Sequence, residues 1–222
     1  MSGFFSIDSP LMRTMSKVAD LMILNLLVIV TCIPVITIGA SLSAMHYVLI
    51  KINRNEGTSV AVMFFKSFKE NFAQATILWF INIAGLFLFA YDVYIFFFAN
   101  NTLPVLVLIF VLAVGVLFVM TSMYFYPLQA RFINPVPKTV RNAFFVMVLN
   151  FPKSVLTVLI YMIPIGLLIL TTYFIPIVFL FGISVPGFFA VKLYSKVFAK
   201  IEPKEEEVTE DMDFHIQDDS VN

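Results

Sequence analysis

The stretch NLLVIVTCIPVITIGASLSAMHYVLIKINR, residues 25–54, decides the fold. It is apolar for most of its length, broken at Cys32-Ile33-Pro34 and again at Gly39, and closed by Lys51 and Arg54. Pro34 lacks a backbone N–H and Gly39 costs helix stability, so the residues between them read as a bend joining two membrane-buried helices. Gly39, Ala40, Ser43 and Ala44 fall on one side of the second helix. Residues this small let a neighbouring backbone approach closely.

Working outward, the chain of 222 residues is 60% hydrophobic with 26 Phe and only 13% charged residues, and its mean hydropathy is +0.96. A soluble domain could not hide so much apolar surface, so the expected fold class is all-α, a polytopic transmembrane helical bundle whose solvent is the lipid bilayer. Six spans are expected, at about 18–33, 39–50, 72–98, 103–127, 154–172 and 174–191. Residues 18–50 are long for one crossing and short for two; a five-span reading that merges residues 21–50 is the second choice, because it would put Arg13 and Lys17 on the outer side. Residues 1–17 read as an interfacial helix. Residues 51–71, with Val60, Met63, Phe64, Phe65 and Phe68 at helical spacing, read as a separate amphipathic segment on the membrane surface. Pro176, Pro186 and Gly187 are expected to kink the last span.

The formal net charge of zero conceals a division. Residues 1–200 carry 13 Lys/Arg against 5 Asp/Glu, a net +8, and residues 201–222 carry Lys204 against 9 acids, a net −8. A transmembrane domain, 1–200, is thus followed by an acidic tail, 201–222, too polar to pack and expected to be disordered and cytoplasmic. Nucleic acid is excluded as a partner, since the tail would repel it and no basic stripe receives it. In the six-span reading every Lys and Arg falls on one side, which the positive-inside rule makes cytoplasmic, with both termini inside and the turn 99–102 outside. The lone Cys32 cannot form an intramolecular disulfide, and Thr31 ahead of it is a poor residue for lipoprotein cleavage, so it reads as a packed residue at a helix end.

A shift of 79 residues superposes Tyr47 on Tyr126, Leu49 on Leu128, Asn71-Phe72 on Asn150-Phe151, Ile81 on Ile160 and Tyr94 on Tyr173. These matches suggest a parallel internal repeat of helix, basic loop, amphipathic segment and helix.

Metal-ligand spacings, nucleophile elbows, phosphate loops and dinucleotide fingerprints do not occur in the sequence, so neither an enzyme nor a cofactor is expected. Ionisable groups within or beside spans are the functional candidates because hydrocarbon makes them costly. Asp92 leads, as the single acid of the outer half. His46 and Asp20 come next, each close enough to a basic residue to reach the interface. Asn25, Asn82, Ser122, Tyr124, Tyr126, Gln129 and Tyr161 could line a cavity, although hydrogen bonds between helices are the commoner use of such groups. Asn71 and Asn150 are read as caps where a surface helix turns into a span.

The block from Asn25-Leu26-Leu27 through Ile33-Pro34-Val35-Ile36-Thr37-Ile38-Gly39-Ala40, then Ala44-Met45-His46-Tyr47, Phe64-Phe65-Lys66-Ser67-Phe68-Lys69-Glu70-Asn71-Phe72-Ala73-Gln74-Ala75 and Tyr126-Pro127-Leu128-Gln129-Ala130-Arg131-Phe132, resembles the bacterial YesL family, also called DUF624. The resemblance spans about residues 5–200 and leaves the tail outside. It implies a small integral protein of the bacterial plasma membrane without an established activity or catalytic residues. Such proteins are often encoded beside carbohydrate ABC transporters, so the expected role is a non-enzymatic accessory to one, touching its membrane subunits. The alternative is a small secondary transporter or channel using Asp92.

Overall fold

The structure, a computed structural model, describes residues 10–56, 58–98, 104–132 and 134–198. The acidic tail 201–222, the turn 99–102 and the first nine residues therefore lie outside the described residues. Every described element is helical: α1 (Pro10–Thr31), α2 (Ile38–Asn53), α3 (Val60–Phe98), α4 (Val105–Ser122), α5 (Phe125–Arg131), α6 (Val136–Leu149), α7 (Phe151–Leu170), α8 (Ile175–Phe181) and α9 (Ser184–Phe198). Five helical stretches are long and apolar enough to cross a membrane, and a sixth joins them if the bent run Thr172–Phe181 with Ser184–Ser195 crosses as one.

α2 is the centre. It packs against α1, α3, α5 and α9, and Ala40, Ser41, Ser43, Ala44, Val48 and Leu49 are inaccessible from every side. The bend ahead of it is a short 3₁₀ turn, Val35–Thr37, in which the Thr37 hydroxyl donates back to the carbonyl that ends α1 at Thr31. Gly39 then sits so close to α3 that a Cβ there would collide with the Ala75 carbonyl and with Trp79. Only glycine lets the two backbones meet at this crossing.

α2 stops in a Schellman arrangement. Asn55 adopts φ 55°, a left-handed conformation that Asn tolerates better than most side chains. The Glu56 N–H donates to the Lys51 carbonyl at 3.0 Å and the Asn55 N–H to that of Ile52 at 3.2 Å, which satisfies the carbonyls a helix end leaves open. The Lys51 ammonium also holds the Glu56 carboxylate at 2.8 Å. That hydrogen bond, with the charges of Lys51 and Arg54, draws the carboxyl below its usual range.

Two expectations need correction. The surface segment 51–71 and the span 72–98 are not separate: α3 runs unbroken for 39 residues, about 58 Å. Likewise the interfacial helix 1–17 and the first span share α1 from Pro10 onward. The reason is the absence of breakers, since no Gly or Pro occurs between Val60 and Ala84. At the position 79 residues on, the chain does break, between α6 and α7, where Pro152 stands in place of Ala73. Proline supplies no N–H to a preceding turn, so a new helix must begin there. The last span bends by 55°, but at Gly182-Ile183. Pro176 and Pro186 occupy the first turns of α8 and α9, where a missing N–H costs nothing.

Gly39→Leu should therefore destabilise the protein by about 1–3 kcal/mol through overpacking. Gly166→Leu, where a Cβ meets nothing within 4 Å, should stay within about 0.5 kcal/mol of the parent. Thermal unfolding of both variants in the same detergent makes the comparison, and equal losses would contradict the close crossing.

Candidate functional site: polar groups buried between the helices

Asn25, wholly buried in α1, reaches across to the break between α8 and α9. Its Nδ2 donates to the Phe179 carbonyl at 2.7 Å, and its Oδ1 accepts the N–H groups of Ile183 and Ser184, each at 2.9 Å. In an uninterrupted helix Ile183 N–H would bond the Phe179 carbonyl directly. The side-chain amide is inserted into that one missing bond, donor to acceptor and acceptor to donor. Insertion of a side chain into the ladder is a recognised cause of sharp helix bends.

A second group ties α3, α5 and α6 together. Gln129 of α5 donates to the side-chain oxygen of Gln74 and, at 3.4 Å, to that of Asn71. Its own carbonyl accepts the Thr139 hydroxyl of α6 at 3.1 Å. Asn71 in turn donates to the Ser67 carbonyl at 3.1 Å and hydroxyl at 3.2 Å. Every member finds a partner inside the protein, which removes the cost of keeping amides away from water.

The third group is aromatic. His46 of α2, 4% exposed, places Nδ1 2.8 Å from the Tyr194 hydroxyl of α9. Tyr194 packs edge-on to Tyr124, and the Tyr124 hydroxyl lies 2.9 Å from Ser154 Oγ of α7. His46 thus does not reach the interface; the bulk of α9 covers it. Asn82 is buried beside the Tyr126 hydroxyl, and Ser122 turns back onto the Val119 carbonyl of its own helix at 2.9 Å.

Asp92 stands apart from all of these. It is exposed and lines two shallow clefts between α3 and α4, of about 160 and 230 Å³, whose other walls are apolar. It lies 22 residues beyond Glu70, an exposed acid on the same helix. That separation is about 33 Å, one hydrocarbon thickness, so when Glu70 sits at one membrane face Asp92 sits at the other. Asp20, with Arg13, Lys17, Asn55 and Glu56, lines a wider cleft of about 630 Å³ where α1 and α3 begin and α2 ends.

The two expected caps are not caps in that sense. Asn71 is interior to α3 and serves the Gln129 group. Asn150 does stand between α6 and α7, but its side chain donates back to the Val146 carbonyl at 3.2 Å instead of receiving an N–H of α7. Sequence reasoning missed Ser67 and Thr139 because they fell between the expected spans, and passed over Gln74 near the start of the span 72–98. Gln74 carried a usable signal, lying three residues from Asn71 and so on the same helix face. Among the described residues no three His, Cys, Asp or Glu side chains gather as metal ligands would.

Residues 21–93, about a third of the chain, match the family described as "Protein of unknown function, DUF624". Over this stretch the chain is similar to DUF624. No curated protein and no solved structure matches the chain. The DUF624 stretch runs from Leu21 in α1 to Val93 in α3. It thereby contains Asn25, the close crossing at Gly39, His46, and the α3 half of the Gln129 group. A family match with apolar helices of this length makes the chain a membrane protein of unknown function.

Replacing Asn25 by Leu removes both halves of the inserted bridge, and each backbone group left unpaired costs about 1–3 kcal/mol. Hydrogen exchange at the Ile183 and Ser184 amides should accelerate by about tenfold or more, since 1.4 kcal/mol corresponds to a factor of ten. Unchanged protection there would mean that some other group holds the bend.

Proposed function

We propose that this protein is a multi-pass protein of the bacterial plasma membrane, with both termini cytoplasmic, serving as a non-enzymatic accessory to a carbohydrate ABC transporter. Its partners are the transporter's membrane subunits. The observation that carries this reading is how the buried polar groups are employed. Asn25, Gln129, His46 and Tyr124 are each engaged with another helix or its side chains, which suits a scaffold that holds a shape. The link to carbohydrate comes from the family resemblance alone.

Large apolar side chains that are bare in the isolated chain, such as Phe87, Phe97 and Phe98 of α3 and Leu106 and Phe110 of α4, offer a face to lipid or to a partner's helices. The rival reading is a small transporter or channel that uses Asp92. Against it stands the position of that carboxylate, exposed in shallow clefts between α3 and α4 and away from the buried polar groups.

Isolation in mild detergent from cells expressing both proteins should recover the carbohydrate permease with this chain, and repeated isolation of this chain alone would count against the accessory role. In reconstituted vesicles neither the parent nor Asp92→Asn should conduct or accumulate solute. A flux that the substitution abolishes would establish the rival. For orientation, a cysteine placed at Asn101 in a Cys32→Ser background should react with a membrane-impermeant maleimide in intact cells, whereas one placed at Arg54 should not. The reverse pattern would invert the proposed topology.

A further inference from the structure

The net charge of +8 on residues 1–200 is mirrored by the net −8 of residues 201–222. α9 ends at Phe198, which is fully buried and packs edge-on against Phe132 at 6.0 Å between ring centres. The Arg131 guanidinium lies 5.5 Å from the centre of the same Phe198 ring. α9 therefore ends beside the end of α5. Two residues back along α5, Gln129 is bonded to Thr139 of α6 and to Gln74 of α3.

Next to those inward-facing partners stand cations that face outward: Lys66 and Lys69 on α3, and Lys138 and Arg141 on α6, all exposed. Glu70 is the one acid among them. The rim formed by the two helices is cationic, and because α5 packs against both of them, one helix, about 10 Å across, separates it from the end of α9.

Twenty-four residues follow Phe198 in the sequence. A flexible chain of that length has a root-mean-square span of roughly 25–30 Å, and its acids begin at Glu202, four residues out. Every member of the rim is within reach. A tether this short keeps the acids at millimolar effective concentration about the rim, so weak individual contacts add up.

We propose that the acidic segment 202–219 docks on the rim formed by Lys66, Lys69, Lys138 and Arg141, where it competes with anionic lipid headgroups for the same cations. The occupant is this chain's own tail because its net charge of −8 mirrors the body's +8 and because α9, which it follows in sequence, ends beside α5, the helix that packs on both sides of the rim. Lipid is the competitor, since a cationic rim at the edge of a bilayer attracts anionic headgroups as well. In membranes poor in anionic lipid the tail occupies the rim. In membranes rich in it the tail is displaced and becomes available to another cationic surface. The proposal concerns electrostatics at one end of the bundle and stands whether or not the protein accompanies a transporter.

Zero-length carbodiimide coupling of the full chain in nanodiscs, followed by mass-spectrometric mapping, tests it. In neutral phosphatidylcholine at low salt, tail carboxylates from Glu205 onward should couple to Lys66, Lys69 and Lys138. Raising the salt to about 0.5 M, where screening acts within a few ångströms, should reduce these products at least threefold or so. Replacing about a third of the lipid by phosphatidylglycerol should do the same. A K66Q/K69Q/R141Q chain keeps Lys138 as the reporter and should lose most of its tail coupling, while coupling of the Lys51–Glu56 pair reports that the fold is intact. Tail coupling confined to Lys196, Lys200 and Lys204 would overturn the proposal. So would coupling insensitive to salt and lipid, or coupling found only between isotopically distinct chains.

Discussion

Hydrocarbon offers a helix no substitute for a backbone hydrogen bond that the helix fails to make for itself. Where the run after α7 bends at Gly182-Ile183, two N–H groups and a carbonyl are released, and all three are taken up by the amide of Asn25 from α1. A serine could not take the place of this amide, because it presents one oxygen where a donor and an acceptor are needed at separate points. Nor could a carboxylate, which lacks the donor when ionised. The first and last helices of the bundle are consequently joined through backbone atoms, over 154 to 159 positions of sequence. The same economy recurs in miniature, since Ser41, Thr121 and Thr157 each return a hydroxyl to the carbonyl four residues back and so leave no exposed donor.

Between those outer helices, α2 can be surrounded because its side chains are small where neighbours come nearest. Its side toward α3 begins at Gly39, and another side turns Met45 and Leu49 toward Gly187 of α9. This part of the architecture was legible in residues 25–54, because small residues at helical spacing state a close approach directly. Bends are less legible. A proline marks where a helix can begin as readily as where one fails, so Pro176 and Pro186 pointed to the right span and the wrong residues. The decisive residue for that bend, Asn25, lies at the other end of the chain, where no local pattern could connect it to Ile183.

Surface and span were also harder to separate than composition suggests. The apolar spacing of Val60, Met63, Phe64 and Phe68 is that of an interfacial helix, and equally that of the first turns of a long helix leaning on α2. Burial decides for the second: Phe64 and Ser67 are inaccessible, while Lys66, Lys69 and Glu70 face out. Once α3 is continuous, Asn71 has no helix start to cap. Its amide is free to join Gln129, and the Asn-Phe that the two halves share serves two purposes, a polar tie in α3 and a helix junction at Asn150.

Rise along α3 then orders the polar groups by depth. Asn71 and Gln74 lie within one turn of the last exposed charges, Asn82 about 18 Å beyond Glu70, and Asp92 about 33 Å beyond it. Outward of Asn82, the helix pair α3–α4 is held by packing: the Phe118 ring fills the notch at Gly85, and the Phe89 ring fills the notch at Gly115. The bundle is thus tied by directional hydrogen bonds toward its basic end and by aromatic rings against glycine toward the other. Hydrogen bonds fix register and angle, whereas ring-on-glycine contacts tolerate sliding, because they depend on area more than direction. Toward Asp92 the α3–α4 pair rests on these ring contacts, whose strength follows contact area and not direction.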